Sequence, residues 1–350
     1  MAKPPLSMKP TGWFQVAWSA DIKPGEVRRM KYFDREMIGW RTGSGQAVVM
    51  DAYCEHLGAH LGYGGHVEGE VIECPFHGWQ WNADGRNVCI PYQDRPNRGR
   101  RIRSYPVAER NESIYIWHDI DGTAPYFDAP DVFASFADGS SAADYFPQMT
   151  LYREGLEMHP QYVLENGVDF AHFKFVHKTP IVPVFTRHDF AEPWSYVDFT
   201  ITFEGAETQS IDDVRSGVQA INGGLGIAVT KSWGMVDNRT ISAITPVDDR
   251  TCDVRFMVYI GRPKDASDPR RAETKAEEFG AEVIRQFAQD VHIWSHQRYS
   301  DPPALATAEY EGFTALRKWA TQFYPDGRGG NAADLESARP ATISEKGSTE

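Results

Sequence analysis

Long apolar runs, abundant cysteines and an excess of positive charge are all missing from this sequence. No uncharged apolar stretch approaches the ~20 residues that cross a bilayer, and residues 1–5 have no apolar core of the signal-peptide type. The four cysteines form no disulfide framework, which fits a reducing compartment. We therefore expect a cytoplasmic protein without a membrane span.

The charge balance is acidic. Lys and Arg total 36 against 49 Asp and Glu, which gives a net charge of -13, and no long basic run interrupts this balance. Binding to nucleic-acid phosphates requires clustered positive charge, so we expect no nucleic-acid partner. A chain of 350 residues with 41% hydrophobic residues is long and apolar enough for two domains with substantial cores.

What the sequence does contain is a pair of short boxes with one cysteine and one histidine each. Cys54 and His56 form the first box, Cys74 and His77 form the second, and 17 residues separate the boxes. Two cysteines on one iron and two histidines on the other are the ligands of a Rieske [2Fe-2S] cluster. Chance and a structural zinc ion are the alternatives. Zinc boxes usually pair like residues, as in Cys-x2-Cys, so mixed boxes favour the cluster.

The pattern of apolar residues divides the chain into two folded parts. Residues 13–118 contain short strand candidates, clearest at 47–50, 71–73 and 114–117, which predict a small antiparallel β domain with the two boxes on its loops. A linker is expected at 119–126. Strands with alternating apolar residues follow at 197–203 and 252–260, and helices are predicted at 269–295 and 310–323. The predicted divisions are an N-terminal tail (1–12), a cluster domain (13–120), a catalytic domain (121–326) and a disordered C-terminal tail (327–350).

A second group of polar residues lies in the second part, at 166–177. Asp169 and His172 are three positions apart and would be neighbours on a helix, with Asn166 one turn earlier on the same side. His177 is five positions beyond His172, about 140° around a helix, so both imidazoles reach one ion only if the helix ends or distorts between them. Two histidines and one carboxylate form the metal triad of non-haem iron oxygenases.

We predict that Asp290 supplies the carboxylate of this triad. It lies on the apolar stripe of the long helix, where an unpaired carboxylate is costly unless it binds a cation; the alternative is a buried salt bridge. His292 and His296 are an i, i+4 pair, but they point away from this stripe, so we interpret them as surface or subunit-contact residues. The other histidines outside the two sites are expected to be satisfied polar or surface residues: His60, His66, His118, His159 and His188.

Both boxes, their order and their spacing resemble the oxygenase component of Rieske non-haem iron oxygenases. Residues 51–59, 74–79, 289–294 and 316–319 look closest to the 3-ketosteroid 9α-hydroxylase branch, and the resemblance covers about residues 13–323. It implies an α+β fold, in which an antiparallel β Rieske domain precedes a catalytic antiparallel sheet packed by helices in the helix-grip or START-like manner.

The resemblance also implies roles for individual residues. Cys54, His56, Cys74 and His77 would bind the cluster, and His172, His177 and Asp290 would bind mononuclear iron. Asp169 would bridge a cluster histidine of a neighbouring subunit and His172 of its own chain, which implies a head-to-tail homotrimer. Asn166 would line the iron site without binding tightly.

The implied reaction is monooxygenation of an apolar polycyclic molecule such as a steroid. Electrons would pass from NADH through a flavin-containing reductase or a ferredoxin-type donor, and O2 would be the co-substrate. The cavity lining is predicted at Val176, 180–185 and 225–229, although these residues are equally suited to an ordinary core. The open alternatives are a smaller aromatic or terpenoid substrate, with hydroxylation, dihydroxylation or demethylation, and a non-catalytic Rieske electron-transfer protein. The third alternative is a fused cluster and lipid-binding module without a catalytic mononuclear iron.

Overall fold

The computed structural model describes residues 6–179, 182–202, 215–234, 236–263 and 268–325. The predicted C-terminal tail at 327–350 lies outside these ranges, as do Pro180, Ile181 and Phe203 from the predicted cavity lining and strand. Within the described ranges, no helix is both long and apolar enough to cross a membrane.

Short antiparallel strands make up the N-terminal part. They are β1 (Gly12–Trp18), β2 (Arg28–Tyr32), β3 (Arg35–Arg41), β4 (Ala47–Asp51), β5 (His66–Glu68), β6 (Val71–Glu73), β7 (Gln80–Asn82), β8 (Asn87–Cys89), β9 (Val107–Arg110) and β10 (Ser113–His118). They pair in the orders β1-β10-β9, β2-β3-β4 and β5-β6-β7-β8. The predicted strands at 47–50, 71–73 and 114–117 fall within β4, β6 and β10.

A seven-stranded antiparallel sheet and four helices form the described C-terminal part. The strands are β11 (Met149–Leu156), β12 (Val184–Ala191), β13 (Trp194–Thr202), β14 (Arg215–Gly223), β15 (Ile227–Trp233), β16 (Asn238–Pro246) and β17 (Cys252–Ile260), in the order β11-β17-β16-β15-β14-β13-β12. The helices are α1 (Pro160–Asn166), α2 (Ala171–Phe175), α3 (Pro269–Trp294) and α4 (Tyr310–Ala320). The predicted fold class, α+β with antiparallel sheets, is confirmed.

The long helix α3 begins and packs as its sequence requires. The Asp268 carboxylate accepts hydrogen bonds from the main-chain N-H groups of Arg270 and Arg271, and Pro269 takes the first position, where no N-H partner is needed. Its apolar stripe packs on β17 and β11, and the ring of Phe287 stacks on Phe256 at 4.1 Å. The stripe therefore fixes which face of α3 is turned toward the sheet.

The opposite face of the large sheet packs against the N-terminal part. Leu225, Ile227 and Val229 are at most 2% exposed and share one core with Trp13 and Phe127. Of the two alternatives left open for 225–229, the ordinary core therefore holds for these three residues, whereas Ala228 pairs with Ser242 and faces the other side of the sheet. Apolar character alone does not reveal which face of a strand a partner covers.

Buried charges tie the two parts together. The Arg255 guanidinium, 2% exposed, donates to the main-chain carbonyls of Gln15 and Val16 on β1 and to the Tyr32 hydroxyl on β2. The Tyr32 hydroxyl also donates to the buried Asp253 carboxylate at 3.0 Å. Each charged group has hydrogen-bond partners across the contact, and this fixes the orientation of the small sheets on the large one.

Candidate metal centres

The first box lies on a tight loop between β4 and β5. The Cys54 N-H donates to the Ala59 carbonyl at 2.8 Å, and the Gly58 N-H donates back to the Cys54 carbonyl at 2.9 Å. Gly58 has φ +76°, a left-handed conformation that a side chain disfavours. The loop therefore holds Cys54 and His56 on one compact turn.

The second box repeats this loop. The Cys74 N-H donates to the Trp79 carbonyl at 2.9 Å, and the Gly78 N-H donates to the Cys74 carbonyl at 3.0 Å. Gly78 has φ +70°, and a Cβ added there would lie 2.8 Å from Pro91 Cγ, so a larger residue would be both strained and crowded. Two loops of the same design thus present one thiol and one imidazole each.

The two imidazoles meet at the tip of these loops. The ring centroids of His56 and His77 are 4.8 Å apart, and His56 stacks on Trp79 at 4.3 Å. His77 Nδ1 is buried and has no hydrogen-bond partner in the described structure. A buried polar atom without a partner is unusual, and a metal ion bound at this nitrogen would account for it.

The two thiols lie side by side beneath the imidazoles. Cys54 and Cys74 are each 2% exposed, and their side chains hydrogen-bond one another. That hydrogen bond, with help from the main-chain N-H groups of Phe76 and His77, lowers the pKa of Cys74 to about 6. Paired sulfurs with N-H groups directed at them suit an anionic iron-sulfur cluster, so the residues present fit this group.

The second constellation lies on two short helices instead of one. Helix α1 ends at Asn166, and the Asp169 carboxylate accepts hydrogen bonds from the main-chain N-H groups of Ala171 and His172 where α2 begins. Asn166 Nδ2 lies 3.2 Å from His172 Nε2. Asn166, Asp169 and His172 are therefore neighbours, as the spacing predicts.

The partner of His172 differs from the one that the resemblance implies. Its Nδ1 makes a short hydrogen bond to the main-chain carbonyl of Asp169, whereas the Asp169 carboxylate oxygen Oδ2 is 4.0 Å away. The implied carboxylate-histidine contact within the chain is thus replaced by a main-chain contact. The Asp169 side chain is one-third exposed and is directed partly toward the surface.

His177 and Asp290 complete the triad. Helix α2 ends at Phe175, so His177 lies beyond the helix, as the 140° offset from His172 requires. His177 Nε2 is 3.2 Å from Asp290 Oδ2, and one potential ligand atom from each of His172, His177 and Asp290 lies within 4.8 Å of the others. Two imidazoles and one carboxylate at this spacing fit a mononuclear iron ion.

The charges of this triad balance one another. Burial disfavours the imidazolium form of His177, but the hydrogen bond and the charge of Asp290 outweigh it and raise the pKa of His177. For His172 burial dominates, and its pKa is lowered despite the nearby Asp290 and Asp169. A neutral imidazole is the form that binds a metal ion, so His172 is held in its ligating state.

The triad faces the helix side of the large sheet. The Phe173 ring lies 5.8 Å from that of His177 and 4.9 Å from Phe199 on β13. The pairing register places short side chains on this face of the central strands: Ala220, Thr230, Thr240 and Ser242. Helix α3 packs on β11 and β17 and α4 packs on β12, and the surface formed by these short side chains on the strands between the two helices is here called the groove.

His188 is a polar residue on the same face of the sheet, and the sequence analysis assigned it no role. Its ring packs 4.5 Å from Phe185 and beside Gly312 of α4, and its Nε2 is buried without a hydrogen-bond partner in the described structure. The expectation of a satisfied or surface histidine is wrong for His188. No sequence signal marks it, because the two strands and the helix that surround it are remote in the chain.

The other histidines behave as predicted. His159 accepts a hydrogen bond at the start of α1 and contacts the Ser7 carbonyl, and His118 contacts the Pro10 carbonyl. His60 lies 3.3 Å from Glu36, and His66 is exposed. His292 near the end of α3 and His296 just beyond it are exposed. Of the two remaining cysteines, Cys252 is buried and donates to the Met158 carbonyl, as a packing residue does.

Comparisons with known proteins agree with this geometry. Residues 12–106 match the Rieske [2Fe-2S] domain family, and residues 116–324 match the family described as 3-ketosteroid 9alpha-hydroxylase C-terminal domain. A 3-ketosteroid-9-alpha-monooxygenase oxygenase component from Rhodococcus rhodochrous is 28% identical over 90% of this chain and 84% of its own length. A cholesterol 7-desaturase from Bombyx mori is 29% identical over 91% of this chain and 70% of its own length.

Solved structures share the fold at lower sequence identity. Dicamba monooxygenase bound to dicamba superposes with a TM-score of 0.66 at 16% identity, covering 95% of this chain and 99% of its own. NdmA of Pseudomonas putida CBB5, solved with caffeine as a mutant, gives a TM-score of 0.61 at 18% identity, covering 93% of each chain. Since the two family matches span both metal centres, the chain belongs to the 3-ketosteroid 9α-hydroxylase family of Rieske non-haem iron oxygenases.

Proposed function

We propose that this protein is the terminal oxygenase of a multicomponent monooxygenase that hydroxylates a C-H bond of a steroid or a similar apolar polycyclic molecule. The members of its family are oxidoreductases that use a Rieske [2Fe-2S] cluster, a mononuclear iron and O2. NADH supplies the electrons in this proposal, through a flavin-containing reductase or a ferredoxin-type donor. A cytoplasmic location stays a prediction.

The triad carries the proposal. His172, His177 and Asp290 come from α2, the turn after it and α3, and they meet beside a groove lined by the sheet. A Rieske electron carrier needs no such second centre. Cys54, His56, Cys74 and His77 are proposed to hold the cluster, and the triad is proposed to hold the iron.

The chain's own residues prepare the site in three ways. When bound, the iron and the cluster supply electron storage and the activation of O2. His172, His177 and Asp290 would hold the iron, with each histidine in its neutral form once metal replaces the proton, and a triad of this kind leaves positions open for O2 and substrate. Phe173 packs against both histidines and Phe199 packs against Phe173, so apolar surface beside the triad would help to exclude water from the reacting C-H bond.

The steroid class rests on the groove and on the relatives. A wall of aromatic rings, Phe173, Phe185 and Phe199, suits an apolar polycycle, and the unpartnered His188 Nε2 offers one hydrogen bond to a substrate oxygen. The 3-ketosteroid monooxygenase and the cholesterol desaturase both have names that denote steroid or sterol substrates. Smaller aromatic and terpenoid compounds belong in the same oxygen-uptake screen, since dicamba and caffeine occupy proteins of this fold.

A head-to-tail homotrimer is part of the proposal. Around the cluster loops, Leu57 is 65% and Phe76 61% exposed, and near the triad Phe175 is 69% and Val184 63% exposed. Large exposed apolar side chains gathered at two sites of one chain indicate surfaces that a partner covers. If one surface covers the other between copies, the cluster of one subunit lies next to the iron of its neighbour, and the partly exposed Asp169 lies at the junction. Ultracentrifugation tests this assembly.

Metal counting after removal of Asp290 tests the proposed function. We expect about three irons and two sulfides per wild-type chain, and about two of each in Asp290→Ala with an unchanged Rieske spectrum. Substrate-dependent oxygen uptake should disappear with the third iron. Glu278→Ala is the matched control, because Glu278 is an exposed acid on the same helix. Two irons in the wild-type chain would instead favour a carrier or a cluster and lipid-binding module.

A further inference from the structure

The acidic balance of the chain conceals one strongly basic loop. Residues 94–103, here called the arginine loop, contain five arginines and a single acid, whereas the whole chain has a net charge of -13. The arginines are Arg95, Arg98, Arg100, Arg101 and Arg103. All except Arg103 are exposed. Positive charge concentrated on one exposed loop of an acidic protein is a local feature that net charge does not report.

The arginine loop lies against the cluster loops. Arg100 Nη1 is 3.7 Å from Oε2 of Glu55, the residue between Cys54 and His56. Tyr92, just before the loop, accepts a hydrogen bond from Trp79 Nε1 at 2.7 Å, and Trp79 stacks under His56. Charge on this loop is therefore presented beside the candidate cluster site.

Most of this charge is not compensated within the chain. In the described ranges, the arginines of this loop form one ion pair, between Arg100 and Glu55, and the Arg100 side chain is still 63% exposed. Arg101 and Arg103 donate to the main-chain carbonyls of Asp84 and Asp119, which leaves their charge free to act on a partner. The four exposed arginines thus give this loop a cationic surface.

We propose that the arginine loop is the docking surface for an acidic electron-carrier protein, an iron-sulfur or flavin protein with Asp and Glu around its redox centre. The inference deepens the proposed function and rests on it. An acidic carrier is repelled by the chain as a whole and attracted at this loop, so it arrives beside the cluster loops. One electron then leaves the reduced carrier and enters the oxidised cluster, and no bond forms or breaks.

Charge reversal with a matched control tests the proposal. The probe is a plant-type [2Fe-2S] ferredoxin, an acidic one-electron carrier, and its binding to the full-length holoprotein is measured by fluorescence anisotropy at rising salt. For Arg95→Glu/Arg98→Glu we expect binding at low salt at least about 10-fold weaker than wild type, with the difference fading as salt screens the charges. Arg270→Glu/Arg271→Glu changes net charge equally at exposed positions on α3 and should stay within about 2-fold of wild type.

The same preparations are then followed by stopped-flow spectroscopy of cluster reduction by the reduced ferredoxin. In the loop variant, the second-order rate of cluster reduction by ferredoxin should fall at low salt. Dithionite, which needs no protein docking, should still give the full reduced spectrum. Equal weakening by both double variants would overturn the proposal, since net charge alone would then govern binding. A loop variant that changes the oligomeric state and leaves ferredoxin binding intact would also overturn it. A wild-type protein without a Rieske spectrum would contradict the proposed function instead.

Discussion

The two candidate metal centres of this chain are built in different ways. All four proposed cluster ligands fall within residues 54–77, on two loops of the same design, each closed by a cysteine N-H and a left-handed glycine. The proposed iron triad spans residues 172–290, and its residues lie on α2, on the turn after α2 and on α3. One centre depends on local loop geometry, and the other depends on how remote helices pack.

The two centres also differ in how far the side chains around them are exposed. The cluster loops carry exposed apolar side chains such as Leu57 and Phe76, whereas His172 and Asp290 are only 8% and 7% exposed. A centre that exchanges electrons with other proteins benefits from lying at the surface, and a centre that handles substrate benefits from a dry interior. The difference agrees with the proposal that the cluster lies beside protein surfaces, a neighbouring subunit and an electron carrier, and that the triad lies beside a small molecule.

Replacing a cluster ligand should give the largest effect and test whether the two centres are independent. Cys54→Ser removes a thiolate from a local loop, so we expect loss of the Rieske spectrum, loss of turnover and about one iron per chain. The catalytic sheet and helices should remain folded, because the ligands of the triad lie elsewhere. Iron and sulfide assays measure the metal content, and circular dichroism measures whether the sheet and helices remain folded. Loss of all iron in Cys54→Ser would show that the centres form together.

Asp169→Asn probes the proposed junction between the two centres. The amide keeps an oxygen for the α2 N-H groups but loses the charge, so both metals should be retained while turnover falls by roughly 10- to 100-fold. Electron transfer from cluster to iron, followed in single-turnover experiments, is the measurement. Lys174→Ala, at an exposed position on α2, serves as the neighbouring control for simple disturbance of the helix. Wild-type electron transfer in Asp169→Asn would remove this residue from the path.

The sequence predicted what is local and missed what is remote. The cluster boxes could be read directly because the loop, the ligands and the glycines are consecutive, and α3 was predicted within one residue because its cap and stripe are regular. The prediction that Asp290 lies near His172 and His177 required only the face of one helix.

Facts that depend on which elements pack together were not accessible. The core position of Leu225, Ile227 and Val229 and the surroundings of His188 arise from contacts between segments far apart in the chain. The hydrogen bond from His172 to the Asp169 carbonyl is local, but the spacing of the two residues does not show which atom of Asp169 the ring contacts. A strand pattern shows two faces but does not show what covers each one.

Breaking a buried ion pair should show that the triad depends on helix packing. Arg317 on α4 binds Glu165 on α1 through two hydrogen bonds of 2.8 and 3.1 Å, with both side chains at most 7% exposed. Glu165 directly precedes Asn166, which contacts His172. Arg317→Leu leaves a buried carboxylate uncompensated, so we expect a loss of about 3–5 kcal/mol in unfolding free energy.

The control is an exposed pair on α3. Arg285→Leu breaks a contact with Glu282 whose side chains are 57% and 43% exposed, so its cost should stay below about 1 kcal/mol. Urea unfolding measures both variants. Arg317→Leu should also release the mononuclear iron more easily while keeping the Rieske spectrum, and equal loss of both metals would mean that the pair supports the whole protein.

The smallest expected effect is on the pH dependence of the unfolding free energy, to which each part of the chain contributes one buried histidine. Burial lowers the pKa of His118 on β10 and of His159 before α1, each to about 4. In the unfolded chain these histidines take up protons first, near their ordinary pKa of about 6.5. Their contribution to stability is therefore complete above that pH and is lost as the pH falls toward 4.

Each histidine should lower the unfolding free energy by about 2 kcal/mol between pH 7 and pH 5. His159→Asn keeps an acceptor for the Gln161 N-H at the start of α1 and removes the titrating ring, so the pH-dependent loss should fall by about half of the two-histidine effect. Urea midpoints at the two pH values measure it. The double variant His118→Asn/His159→Asn should lose less unfolding free energy than wild type between pH 7 and pH 5. An equal loss would mean that carboxylates, and not these two buried histidines, govern acid unfolding.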